Sequence, residues 1–576
     1  MRPRSFRFGV ICRGLRLRAW EAASLNRLLR VNDAALALLL IDKHPDREHS
    51  GHHDISIPGS RRAILWRFYR SMSDRKCPAC RMMDPTPQLV NVPRVACPVP
   101  GTYSNGQVSS TIRDLQEIQE HRLDFILDLG PGAVWEKMLD IPRYGVWAFQ
   151  FGDDRKYAGD TSCFWEVYHN DTVTVATLKR LTGASGKGVI LRKGVFRTIP
   201  TSYTRNREAV YCNVSEWPAQ VCTDLINGNA RYVAGTHAGP FRKTFRQPTN
   251  ARMALVPFRL AAASCRFVIR FLLFKDQWNM GIIDEPITAL MRSQTIKVRW
   301  VRHPLQDRYM ADPFAVFRNG HLLVAFEDYL SRDRRGTIAT ALIKGTGLSA
   351  IRTVIEDTCH MSYPFLLEHE GQLYCIPETG EAGEVALYRA EEFPRRWVKE
   401  AILITGYGGI DSTVIQHDDR WWMFGTDAAE GPDCKLNIWY SDELFGPWRP
   451  HAKNPVKVDV RSSRPAGTPF IHEGRLIRPA QDCSESYGRR IVLNRVKKLT
   501  PREFEEEAMG VIEPMAQSPY PDGVHTLSAA GNRTIVDGKK TRLVRTRADV
   551  MDNVRLLTQI ARRKMVKNCA GGAIEP

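Results

Sequence analysis

Two aspartates, Asp312 and Asp411, sit at the openings of similar stretches in the C-terminal half of this 576-residue chain, followed by Arg464, Arg478, Gln481, Asp482, Tyr487 and His525. Paired acids, forked arginines, an amide and aromatic rings are the groups that a sugar or sugar phosphate site uses, the arginines gripping phosphate or carboxylate at two points. These residues are expected to line one pocket. The same stretches end in acids, Glu327, Glu378, Asp427, Asp482 and Asp537. A carboxylate at a strand end can accept backbone N–H bonds from the next blade's turn, the role expected of Glu327, Asp427 and Asp537.

Something must hold these groups together, and the repeat itself supplies it. Copies begin near Asp312, Tyr363, Ser412, Thr468 and Val524, and terminal acids recur about every 50 residues, a period of propeller blades rather than of helical solenoids. Each copy has two apolar runs around a tight polar pair: Asn319-Gly320, Glu370-Gly371, Asp418-Asp419, Glu473-Gly474 and Gly531-Asn532. Such pairs tolerate the positive φ of hairpin turns. Stretches such as 336–343, 384–390, 436–442 and 489–496 supply outer strands. Five copies predict five blades, whose innermost strands converge on a central channel.

Composition narrows the partners. Lys and Arg total 82 against 63 Asp and Glu, a net charge of +19. That excess favours anionic partners such as phosphorylated sugars or an acidic membrane surface. It is spread along the chain without a dense basic block or an aromatic-basic motif, which argues against nucleic acid. The thirteen cysteines are scattered and odd in number, as in a reducing, cytoplasmic setting. Cys77-Pro-Ala-Cys80 has half of a zinc-ribbon spacing without a second half, so no metal site is expected. The first residues hold too short an apolar run for a signal peptide, and no run of about 18 apolar residues predicts a membrane span.

The N-terminal third reads as strand, helix, strand over residues 6–42, the start of a parallel α/β sheet. Residues 44–106 read as a long insertion, with a possible helix over 64–72. A strand at 123–129 and the segment PRYGVWAFQF at 142–151 follow. With VTVATLKRLTGASGKGVILRKG at 173–194, these residues resemble the N-terminal domain of folate-dependent formyltransferases, a Rossmann-type α/β fold. That resemblance implies amine acylation from formyl-tetrahydrofolate assisted by an Asn, a His and an Asp. Here the corresponding segments read Trp147 to Phe151 and Ser185 to Gly188, and Phe and Gln are no general bases. The expectation is a retained fold with lost chemistry, although Asp153, Asp154 and Arg155 could act in the same cleft.

Residues 201–275 read as a linker ending in an amphipathic helix after Pro257, with Arg259, Arg266 and Arg270 on one side. Such a helix packs between domains or lies on a membrane surface. The blades then run over 276–545, with a tail at 546–576. Their motifs ADPFAVFRNGHLLVAFEDY, GIDSTVIQHDDRWWMFGT and RPAQDCSESYGRRI resemble the propeller of glucosamine inositolphosphorylceramide transferases. That domain is in turn similar to the five-bladed propellers of arabinanase-type and xylosidase-type glycoside hydrolases. The likeness implies that Asp312 is a general base and Asp411 its electrostatic partner, with Glu378 standing in as the acid. In the fourth blade Arg464 replaces the expected acid.

The expected architecture is therefore a formyltransferase-like α/β domain followed by an all-β five-bladed β-propeller. It acts on or binds a glycan, nucleotide sugar or sugar phosphate. A sugar N-formyltransferase and a non-enzymatic glycan-binding or scaffold protein are the alternatives.

Overall fold

A computed structural model describes residues 5–42, 61–84, 87–97, 112–130, 136–153, 156–157, 161–182, 188–234, 247–292, 297–302, 308–318, 320–330, 335–349 and 351–544, with 546, 550–551, 553–555 and 557. The chain divides into two units, Met1–Leu260 and Ala261–Pro576.

In the first unit, seven strands form one mixed sheet in the order Arg94–Cys97, Ala34–Asp42, Phe6–Cys12, Phe125–Asp128, Val146–Phe151, Val173–Leu181 and Gly188–Arg197. The first five are parallel and the last two antiparallel. Central strands covered on both faces need continuous apolar runs, and Val10, Leu38, Leu40, Ile126 and Leu127 are buried accordingly. Arg94–Cys97 lies inside the stretch expected to be an insertion, yet it pairs with Ala34–Asp42 as the sheet edge. Four residues flanked by prolines are too short to show a period. Residues expected to be a polar linker instead begin with helices Tyr203–Val214 and Trp217–Ile226. The sheet holds them through buried Asn206, which donates to Thr174, and through the Arg192–Asp224 ion pair at 2.7 Å.

The segment that carries the formyltransferase resemblance is a strand with aromatic packing. Trp147 is fully buried and stacked on Phe125, and Phe149 and Phe151 meet Trp20 edge-on. Gln150 accepts a hydrogen bond from Lys179 Nζ at 2.6 Å. Asp154, Arg155 and the turn at 185–187 lie outside the described residues.

The second unit is a five-bladed β-propeller. Its blades open with inner strands Arg308–Arg318, Ser362–His369, Gly409–His417, Phe470–His472 and Leu527–Ala530, each paired antiparallel with the strand that follows. The last blade closes the ring with both ends of the unit: Arg533–Leu543 pairs antiparallel with Phe274–Ile283. Three of the tight turns have the expected conformation at both residues, with φ of 50° and 74° at Glu370-Gly371, 50° and 57° at Asp418-Asp419, and 51° and 70° at Glu473-Gly474. At Gly531-Asn532 only the glycine takes positive φ, at 61°, and Asn319 lies outside the described residues.

One irregularity recurs at the same place in three blades. The register slips between Ala311 and Phe314, Ser362 and Phe365, and Ile410 and Thr413. Inside each slip a non-glycine residue takes positive φ: Asp312 at 51°, Tyr363 at 45° and Asp411 at 49°. A bulge re-aims a side chain, and a left-handed non-glycine residue is a strained one. Three blades bear that strain at corresponding positions, where the central site is built.

Candidate functional site

The first half of the site joins blades one and five. Asp312, 3% exposed, accepts the Thr526 hydroxyl on Oδ1 at 2.6 Å, while its backbone N–H points to Asp537 Oδ2 at 3.3 Å. His525 lies between the two acids, Nε2 being 3.6 Å from Asp312 Oδ1 and Nδ1 2.5 Å from Asp537 Oδ2. Its ring stacks on Trp278 with centroids 3.9 Å apart. Asp537 also accepts the backbone N–H groups of His525 and Thr526 at 2.9 and 3.1 Å. It thus ties strand to turn and charges the cluster at once.

Burial pushes the Asp312 carboxyl above its ordinary range; His525 pulls it back, while Asp411 and Asp537 add to the rise. Burial works against the His525 imidazolium, but the carboxylates of Asp537 and Asp312 outweigh it, so the net shift is upward. A buried charge persists only when it is paired. Here His525 stands between two carboxyl groups that favour its protonated form and so is the partner available to them.

The second half joins blades two, three and four. Asp411, 1% exposed, is held by Arg464 through Nε to Oδ2 at 2.6 Å and Nη2 to Oδ1 at 3.4 Å. Gln481 Nε2 donates to the same Oδ2 at 2.7 Å and to the Pro465 carbonyl at 2.9 Å. Glu378 Oε2 accepts the Asp411 N–H at 3.3 Å and lies 3.7 Å from Arg464 Nη2. Arg464 also reaches Asp433 at 3.3 Å and the Tyr487 hydroxyl at 3.3 Å. Tyr487, 37% exposed, and Asp433, 33% exposed in its side chain, form the open lip of this group, whose Asp411, Arg464 and Gln481 are buried. Burial raises Asp411 to about 7 against the pull of Arg464, and Glu378 adds to the rise.

The structure therefore brings Asp312, Asp411, Glu378, Arg464, Gln481, Tyr487 and His525 together. It places Arg478 and Asp482 elsewhere. Arg478 forks onto Glu506 at 2.7 and 2.9 Å and donates to the carbonyls of Ser462 and Ser463. Asp482 pairs with Arg490 at 2.9 Å and accepts the Ser484 N–H. Alternation explains this: along Arg475–Asp482 successive side chains point to opposite faces, so Gln481 turns inward while its neighbour Asp482 cannot. Asp427 accepts the Ala429 N–H at 2.8 Å, a bond within its own blade's turn rather than the one to the next blade that was expected. Glu327 is buried, which drives its carboxyl well above the usual range, with Asp312, Glu378 and Asp411 adding to the effect.

Tyr363 is the central residue that sequence reasoning missed. Its hydroxyl accepts the Gly467 N–H at 2.6 Å and bonds Thr413 at 2.8 Å, tying blade two to blades three and four. Gly467 must be glycine, because a Cβ there would stand 1.7 Å from the Leu527 carbonyl oxygen. The missed signal was the repeat alignment: SYPF, with Tyr363, occupies the place of ADPF, with Asp312. Among the described residues, Asp312, His525 and Asp537 each offer one ligand atom within 4.8 Å of the others, a geometry that could hold a metal ion.

Fold and centre together define a five-bladed propeller with an acidic core stapled by one arginine and one histidine. Residues 298–518 match the family model described as Glucosamine inositolphosphorylceramide transferase 1, N-terminal. The glucosamine inositolphosphorylceramide transferase 1 of Oryza sativa subsp. japonica is 37% identical over 207 residues, 35% of this chain and 28% of that protein. The Arabidopsis thaliana protein of the same name is 33% identical over 209 residues, 35% of this chain and 27% of its own length. The match thus spans little more than a quarter of these relatives. Among solved structures, a family 117 glycoside hydrolase of Zobellia galactanivorans is similar at 13% identity and a TM-score of 0.32, over 47% of this chain and 91% of that one. The RS223 β-xylosidase is similar at 13% identity and a TM-score of 0.29, over 37% of this chain and 80% of its own. Likenesses of that size add nothing to the propeller that the strand pairing already defines.

Proposed function

We propose that the propeller centre processes an activated sugar, with Asp312 as the base that takes a proton from the attacking hydroxyl or water. Asp411 holds the electrostatic balance and Glu378 faces the departing group. One observation carries the choice of substrate: Arg464 stands where an acid was expected and engages both Asp411 and Glu378. Glu378 is thereby occupied as an ion-pair partner. A leaving group that departs as an anion, the phosphate of a sugar phosphate or the nucleoside diphosphate of a nucleotide sugar, needs no proton from it, whereas the alcohol released from a simple glycoside does. The names of the matching relatives, glucosamine inositolphosphorylceramide transferases, support a sugar as the transferred or bound group.

Binding without turnover is the second reading, favoured by the same saturation of Arg464. Formyl transfer draws less support, since Phe149 is packed on Trp20 and Gln150 is bonded to Lys179. A formyltransferase-like ancestry of the first unit remains our reading of its mostly parallel sheet. We place the protein in the cytoplasm on the strength of its free thiols, eleven among the described residues.

The test is a mass-spectrometric turnover screen of wild type and Asp312→Asn against nucleotide sugars, sugar phosphates, glycosides and amino sugars, with and without formyl-folate. Product that is lost in the variant supports chemistry at the propeller centre. Folate-dependent formylation by both proteins moves the chemistry to the first unit, and ligand binding without product leaves a recognition module.

A further inference from the structure

The helix Asn250–Leu273 carries four arginines and no acidic residue. Its two sides are unlike. Met253 and Val256 are buried in the aromatic cluster around Trp66 and Trp165. On another side Leu255, Phe258, Ile269 and Leu273 recur at helical spacing and are exposed, Phe258 at 74%. Arg252, Arg259 and Arg266 follow one another at seven-residue steps, with Arg270 four further on, and so form a row along the edge of the apolar face. Arg270 pairs with Asp276 at 2.6 Å. Arg252 and Arg259 rest on the rings of Trp165 and Tyr168, contacts that hold them without cancelling their charge.

A second helix, Ile64–Lys76, lies beside the first, where its Leu65 N–H donates to Asn250 Oδ1 at 3.0 Å. It too presents apolar residues outward, with Ile64 50% and Phe68 64% exposed. Its single acid, Asp74, is consumed by Arg207 at 2.6 Å. Exposed aromatic and aliphatic residues on neighbouring helices, rimmed by arginine, are what an amphipathic helix presents to a lipid interface. Among the described residues no helix is long and apolar enough to cross a membrane.

We propose that the Asn250–Leu273 helix docks the protein onto an anionic lipid surface, lying in the interface with its arginine row on lipid phosphates. Charge decides between this occupant and a second copy of the chain. Two copies joined on this face would bring arginine rows together with no acid of the long helix to pair them, whereas anionic headgroups supply the missing charge. The docking is independent of the sugar chemistry.

The test is co-sedimentation of the full chain with vesicles of phosphatidylcholine alone and of phosphatidylcholine with phosphatidylserine, at low and high salt. The expected result is binding to the anionic vesicles that weakens with salt. Phe258→Glu with Ile269→Glu should weaken it by about tenfold or more, and the milder Arg266→Gln by about fivefold. Far-UV circular dichroism of each variant separates lost docking from lost fold, and Arg266, an exposed residue, keeps the test open if the double variant unfolds. Equal binding to neutral and anionic vesicles, no binding to either, or concentration-dependent self-association that the double variant abolishes would each overturn the proposal.

Discussion

Two buried arginines of the propeller fork onto carboxylates in the same way, with opposite outcomes. In the wall of the fourth blade, Arg478 and Lys457 share Glu506. Burial alone would raise that carboxyl, but the two cations outweigh it, and Glu506 sits below its ordinary value. At the centre, Arg464 grips Asp411 as closely, yet Asp411 is raised to about 7. Cations outnumber acids in the wall. At the centre Asp312, Glu378, Asp411, Asp433 and Asp537 share one arginine and one histidine. The wall is a satisfied pair that stabilises the blade, whereas the centre is a charge imbalance held by the surrounding ring. Strain and unfavourable charge kept together are the usual mark of a working site.

Substitutions separate the centre from the wall. The largest effect is expected at Asp312: Asp312→Asn should lower turnover of the accepted sugar donor by about 10²–10⁴-fold, the range of a lost general base. Initial rates at saturating donor read this directly. Glu506→Gln should cost about 3–5 kcal/mol, because the buried Arg478 and the half-buried Lys457 lose their partner. Denaturant unfolding reads that loss, and a ligand of the centre should bind with unchanged affinity. Tyr363→Phe should cost about 1–3 kcal/mol, since it orphans the buried Gly467 N–H, and it should loosen the centre without changing any charge.

The smallest effects are those of pH, and the two regions should respond with opposite sign. Glu506 is lowered in the folded state, so its contribution is present above the unfolded value of about 4.3 and is lost as pH falls through the folded value. Asp312 and Asp411 are raised. Their contribution is present below an unfolded value of about 3.9 and is lost as pH rises through the folded values, near 7 for Asp411. Stability measured against pH in Glu506→Gln and in Asp411→Asn should lose these two slopes separately.

Much of the propeller was legible because its repeat writes the same hairpin into the chain five times, and at three of the turn pairs both residues take the positive φ expected of them. Asp312 and Asp411 could be read as partners because each opens a copy. Arg478 and Asp482 could not be placed from motif membership: only the side-chain alternation that puts Gln481 at the centre sends Asp482 away, and a one-residue difference in register decides it. Tyr363 was named only as the start of a copy and not as a site residue. Its position, equivalent to Asp312, was the informative feature. The edge strand Arg94–Cys97 was invisible for want of length, and the helices at 203–226 because their polar residues, Asn206 among them, are buried by partners distant in sequence.

The most direct test of the contrast is a side-by-side thermal melt of Asp312→Asn and Glu506→Gln near neutral pH. If the centre is held against its own charge, Asp312→Asn melts at or above the wild-type temperature while losing turnover, and Glu506→Gln melts well below it. A fall in Asp312→Asn as deep as that in Glu506→Gln would contradict the account and make the central acids a structural cluster like the one in the wall.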